Sequence, residues 1–207
     1  MWRVSKRNNE FLYKQFVDLL MEEPERQIQH NPQMLKDDNH CYVAMEKING
    51  IRGTWALIRH KRLLLKDRFG YCICGDGDDY VLQQISDQYH IRDNLSNMIG
   101  QHDFIIMRGQ CIGPDIMNNE YIKESTEMYV DEIIFPEKHV NPVCARKISE
   151  FYGFKFAPIL DSCLGLPETV DQMFAYAKGE SMIAPIQRKG VIVRDTERLK
   201  SFECITR

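Results

Sequence analysis

Apolar runs of strand character arrive in pairs along this chain, with helical patterns at irregular intervals between them, so the regular strand–helix alternation of a doubly wound parallel sheet is absent. Tyr42-Val43-Ala44-Met45 reads as a buried strand, and Thr54 to Ile58 and Arg62 to Lys66 as two strands joined by a short basic turn. Phe104 to Met107, Met128 to Phe135, Val191 to Val193 and Phe202 to Ile205 supply the rest. Phe11, Leu12, Phe16, Leu19 and Leu20 recur at helical spacing between Glu10 and Glu22, ahead of Pro24. A polar loop is expected from Glu25 to His40. Gly75-Asp76-Gly77-Asp78 reads as a turn opening a helix marked by Val81, Leu82, Ile85 and Tyr89. A short helix is expected between Pro142 and Gly153, with the glycine as its cap. Pro167 is read as opening a last helix with Val170, Met173, Phe174 and Ala177 on one face, before Gly179 stops it. The expected class is α+β with mostly antiparallel sheets.

At 207 residues the chain can bury a full core as one large domain or two small ones. Its apolar runs are too short for a transmembrane helix, and the polar Arg7-Asn8-Asn9 after the first residues is unlike a signal-peptide core. Seven scattered cysteines suit reduced thiols in a cytoplasmic compartment. Cys72-x-Cys74 has no second pair or histidine at zinc spacing. The net charge of −3 offers no global attraction for nucleic acid, so such binding would need a local basic patch. Arg59-His60-Lys61-Arg62 is one, readable either as a phosphate contact or as a solvated hairpin turn.

The stretch richest in chemistry is Glu46-Lys47-Ile48-Asn49-Gly50-Ile51-Arg52-Gly53, directly after the first strand. A strand end followed by a tight turn can fix a lysine amine and expose it to a ligand. Asn-Gly is equally a favoured hairpin turn, so these residues alone leave both readings open.

Lys47-Ile48-Asn49-Gly50 resembles the Lys-x-(Asp/Asn/His)-Gly motif of the covalent nucleotidyltransferases, namely ATP-dependent RNA and DNA ligases and mRNA capping enzymes. Further segments match in order and spacing from about Tyr42 to Thr206. Lys66-Asp67-Arg68, expected at the end of a strand, falls near where ligases of the RNA ligase 2 class have a substrate- and nucleotide-contacting arginine. Met107-Arg108-Gly109-Gln110-Cys111-Ile112-Gly113-Pro114 is similar to a strand-Gly-Glu-x-x-Gly-Pro motif. Met128-Tyr129-Val130-Asp131 resembles the segment whose aromatic ring stacks on adenine, and Tyr129 is readable as that ring or as ordinary strand packing. Arg188-Lys189-Gly190-Val191-Ile192-Val193-Arg194 looks like the Arg-Glu-Gly-x-Val-x-Arg strand, and Ser201-Phe202-Glu203-Cys204-Ile205 like the final Ser-Phe-Lys-x-Ile motif.

The chain departs from the pattern at three charged places. Gln110 and Lys189 stand where the family has glutamates, and Glu203 where it has a lysine. A lysine repels a divalent cation and a glutamate repels phosphate, and one lost preorganised contact typically costs ~10²–10³ in rate. Because the two changes are opposite in sign, Lys189 and Glu203 are expected to pair with each other. Gln110 keeps an acceptor for a ribose hydroxyl.

The resemblance implies a single nucleotidyltransferase (ATP-grasp-like) domain over residues 1–207, with residues 1–40 as its N-terminal helix and loop. A C-terminal OB domain is not expected after Arg207, which points to the RNA ligase 2 class. It implies Lys47 as nucleophile, with Glu46, Asn49, Arg52, Arg68, Gln110, Tyr129 and Lys189 around the nucleotide. Lys47 would form lysyl-AMP from ATP with Mg²⁺ or Mn²⁺, then join RNA 5′-phosphate and 3′-hydroxyl ends. No metal ligand is assigned. The alternative is a pseudo-ligase that binds nucleotide or RNA ends without sealing.

Overall fold

The computed structural model describes residues 6–21, 26–27, 41–60, 68–76, 79–114, 116, 120–136, 138–196 and 201–206. Helix α1 (Lys6–Leu20) is followed by the short strand β1 (Arg26–Gln27), and then by β2 (Tyr42–Glu46), β3 (Ile51–His60) and β4 (Arg68–Gly75). Helices α2 (Asp79–Gln88) and α3 (Ile91–Met98) lead to β5 (Phe104–Ile112), β6 (Glu127–Phe135) and β7 (Lys138–His139). Next come α4 (Pro142–Phe151), β8 (Lys155–Phe156), β9 (Ile159–Leu164), α5 (Val170–Ala177), β10 (Gly190–Asp195) and β11 (Ser201–Ile205).

The strands form two sheets. The first runs β1-β11-β10-β2-β9, and the second β4-β3-β5-β6-β7 with β8 beside β6. Among the described residues only β1–β11 and β6–β8 are parallel; the other pairs are antiparallel. The α+β class with antiparallel sheets is what the structure has.

Alternation along the strands separates the layers. Val191, Val193, Phe202 and Cys204 on one face of the first sheet pack with Met173 and Ala177 of α5. Met45 and Ile192, on the other face, belong with Trp55, Leu57 and Met107 and with Leu82, Ile85, Ile91 and Leu95 of α2 and α3. Helix α1 lays Phe16 edge-on against Phe104, ring centroids 5.4 Å apart, beside Ala56, Ile106 and Ile134 of the second sheet.

Several boundaries differ from the sequence reading for identifiable reasons. Strand β4 takes in Gly75, which composition assigned to a turn; two glycines hide a strand paired along most of β3. The strand expected at 62–66 and Gly77-Asp78 lie outside the described residues, as does most of the loop expected at 25–40, of which Arg26–Gln27 is a strand. Strand β9 escaped notice because Asp161-Ser162 interrupts the apolar residues of Ile-Leu-Asp-Ser-Cys-Leu, which alternate neither as a strand nor as a helix, at the partly exposed edge of its sheet. Pro167 precedes α5 rather than opening it. The start is set by a capping box in which Thr169 accepts from Gln172 N and the Gln172 side chain accepts from Thr169 N. Helix α4 starts as expected, Asn141 accepting from Val143 N at 2.9 Å, and Gly153 follows its last turn at φ 79°.

Candidate active site

Strand β2 belongs to the first sheet and β3 to the second, so residues 47–50 cross from one sheet to the other. A hairpin turn joins neighbouring strands of one sheet, and that reading of Asn49-Gly50 therefore fails here. The crossing is anchored through its backbone. Glu46 N donates to Pro158 O at 2.8 Å, Lys47 N to Gly190 O at 3.0 Å, and Asn49 N to the Tyr121 hydroxyl at 3.2 Å. Ile48 is buried with Ile112, Tyr121, Tyr129 and Ala157. Gly50 passes so near β5 that a Cβ would stand 2.2 Å from Cys111 O, which is why a side chain is excluded there. The Asn49 side chain is exposed.

The Lys47 amine meets the Glu203 carboxylate at 2.8 Å, the two side chains 20% and 12% exposed. Lys189 instead pairs with Glu120, from the segment after β5. The expected Lys189–Glu203 pair does not form, and the register explains why. Glu203 stands opposite Ile192, which stands opposite Met45, whereas Lys189 lies just before β10 and its carbonyl accepts from Thr206 N. Glu46 is fully buried and turns to the α5 side. There Ser181 Oγ donates to one of its oxygens and Met182 N, at 2.8 Å, to the other. This carboxylate holds the turn of residues 180–187, itself closed by Ser181 N to Ile186 O at 2.9 Å.

Three of the residues singled out in sequence form one row across the second sheet: Arg52 opposite Gln110, and Gln110 opposite Tyr129. Tyr129 is buried, and its hydroxyl donates to Glu127 at 2.7 Å. Lys155 lies 5.6 Å from the Tyr129 ring centroid and 2.7 Å from Glu127, and Lys123 is 3.2 Å from the same carboxylate. Burial, then the bond to Glu127, pushes the Tyr129 phenol well up. Burial acts to raise the Glu127 carboxyl, but Lys155, Tyr129 and Lys123 together outweigh it and hold the group below its ordinary value.

Arg68 opens a strand rather than ending one. It stands opposite His60, at the end of β3 remote from Lys47. The part of β4 that returns to the crossing is its other end, where Asp76 N donates to Arg52 O at 3.0 Å. In the basic cluster, Arg59 donates to Gly100 O and packs 5.5 Å from the Phe69 ring, while Lys61 and Arg62 lie outside the described residues.

Sequence reasoning missed a charge cluster on the α1 side of the second sheet. Arg108 bonds Glu132 at 2.8 Å with both side chains 2% exposed, and His139 Nδ1 is 2.9 Å from the other Glu132 oxygen. Arg194 of β10 donates to Asp131 O at 2.6 Å and approaches Glu132 at 4.0 Å. Arg108 also donates to Leu19 O of α1. Arg194, part of a motif in sequence, is here a brace between β10 and β6.

The donor set near Lys47 does not fit a resident divalent cation. Glu46, Glu120 and Glu203 are each engaged with protein groups, and among the described residues no three His, Cys, Asp or Glu side chains converge.

No protein-family model and no curated protein matches this chain. Its fold is similar to solved structures of a Naegleria gruberi RNA ligase. A variant of that enzyme with AMP and Mn superposes at TM-score 0.72 and 19% identity, over 89% of this chain and 55% of that one. The enzyme with PPi gives the same figures. A further variant with ATP and Mn gives 0.72 at 18% identity, over 89% and 56%. This chain thus spans little more than half the length of those proteins. The likeness shows that this chain shares the fold of the matching part of those proteins.

Proposed function

We propose that this chain is an RNA-ligase-type adenylyltransferase domain with Lys47 as its nucleophile. Nζ attacks the α-phosphorus of ATP, presented as its Mg²⁺ or Mn²⁺ complex; the Nζ–P bond forms, the bond to the β-phosphate bridge breaks, and pyrophosphate leaves. AMP then passes from the lysine to an RNA 5′-phosphate, and a 3′-hydroxyl displaces it to seal the ends. In this reading Asn49 within the crossing, Arg52 and Gln110 beside it and Lys189 would receive nucleotide, with Glu46 fixing the strand end. The observation that carries this reading is the crossing itself. Its backbone is pinned at three places while the Lys47 amine stays partly exposed.

A second reading, nucleotide or RNA-end binding without transfer, is favoured by the Lys47–Glu203 pair. An ammonium in an ion pair has no free lone pair, and it must shed a proton and leave Glu203 before it can attack. The deciding experiment is incubation with ATP and Mg²⁺ or Mn²⁺ followed by intact-protein mass spectrometry. One added AMP that disappears in Lys47→Ala supports transfer. Nucleotide binding by calorimetry with no adduct supports the second reading.

A further inference from the structure

Cys41 and Cys163 are 122 residues apart in sequence, yet their sulfurs lie 2.7 Å from each other, Cys41 donating. Cys41 stands one residue before β2 and Cys163 lies within β9. The strands are antiparallel with Tyr42 opposite Leu164, so the two thiols are diagonal neighbours on one face of the pair. The sulfurs are already inside van der Waals contact, and a bond of about 2.05 Å needs only a small further approach. Cys163 is exposed and Cys41 partly so, which leaves the pair open to small oxidants. A competing arrangement, Cys72 with Cys74, also brings two thiols into hydrogen-bond contact, but along one strand, where alternate residues lie about 6.8 Å apart, at the long limit for a disulfide.

We propose that Cys41 and Cys163 form a reversible oxidation site that closes into a disulfide on exposure to a hydroperoxide. The exposed Cys163 sulfur attacks the peroxide, whose O–O bond breaks to leave a sulfenic acid and one water or alcohol. The Cys41 sulfur then attacks that sulfenic sulfur. The S–S bond forms, the S–O bond breaks, and the hydroxyl leaves as water with the thiol proton. Two thiols are oxidised by two electrons and the peroxide is reduced; a dithiol reverses the step by exchange.

The link would pin β9 to β2 where their pairing is irregular, with register shifts between Tyr42 and Ala44 and between Ala44 and Met45. It joins distant parts of the chain, so it restricts the unfolded ensemble strongly. The inference rests on the fold alone and not on the chemistry of Lys47.

To test it, purified protein is treated with hydrogen peroxide, alkylated under denaturing conditions, digested and mapped by mass spectrometry. The expected result is a linked Cys41–Cys163 peptide lighter by two hydrogen atoms, two fewer alkylated thiols, and reversal by dithiothreitol. Thermal unfolding of the oxidised chain should rise by about 5–10 °C, and Cys163→Ser should show neither change. A Cys72–Cys74 link, a disulfide between chains, or Cys163 driven to sulfinic acid with Cys41 still alkylated would each overturn the proposal. If Cys163→Ser does not fold, the peptide map of the unsubstituted chain decides alone.

Discussion

Glu203 of β11 reaches over β10 and holds the amine of Lys47 at 2.8 Å, although β10 lies between their strands. Lysine nucleophiles are activated by desolvation or by neighbouring cations, and here the neighbour is an anion, which in the proposed reaction would also repel a triphosphate. Glu203→Gln keeps the side-chain shape and removes that charge. Adduct formation with ATP should then quicken by about 10- to 100-fold in single-turnover labelling. An unchanged or slower rate would show that the carboxylate does not restrain the amine.

Lys189 and Glu203 have separate partners, Glu120 and Lys47, and the register keeps them several rungs apart. Exchanging their charges together should equal the sum of the single changes. A double-mutant cycle on labelling rate, Lys189→Glu with Glu203→Lys, should give a coupling below about 0.5 kcal/mol. A large favourable coupling would restore the mutual pairing inferred from their opposite signs.

The Arg108–Glu132 pair is a structural brace, buried between α1, β5 and β6 with Arg194 close by. Glu132→Ala leaves buried guanidinium groups without their carboxylate and should cost about 3–5 kcal/mol in urea unfolding. A loss under about 1 kcal/mol would mean that water reaches the cluster and screens it.

Glu127 is held below its ordinary value in the folded chain, where Lys155, Tyr129 and Lys123 overcome the effect of burial. A depressed carboxylate stabilises the fold above its unfolded value, and that contribution is lost as pH falls through the folded one. Glu127→Gln should therefore be less stable than the parent at neutral pH, and the difference should shrink in acid. Thermal melts across the acid range test this, and a gap that stays constant with pH would refute it.

What the sequence showed depended on how local the signal was. Lys47 stood out as a candidate because an apolar strand, a lysine and an Asn-Gly lie side by side. That Gly50 serves close approach to Cys111 rather than a hairpin became visible only once β2 and β3 fell into different sheets. Arg68 sat at a plausible distance along the chain from Lys47, but β3 runs to His60 before the chain turns back, which carries Arg68 to the far end. Arg108 and Arg194 could not be read as braces, since their partners are 24 and 63 residues away and periodicity carries no record of them. The antiparallel class was readable from strand spacing alone, whereas the short strands β7 and β8 and the edge strand β9, interrupted by Asp161-Ser162, gave too little regular pattern to detect.

Strand β2, which leads into Lys47, is made early and paired late. Met45 waits for Ile159 on one side and Ile192 on the other, while β3 to β7 can pair with neighbours already synthesised. Non-local pairing is slow because loop closure precedes its reward. On the ribosome the second sheet can therefore condense first, with β2 unpaired in the first until β9 and β10 emerge. A nascent chain therefore carries Lys47 long before β9, β10 and β11 supply the contacts that surround it.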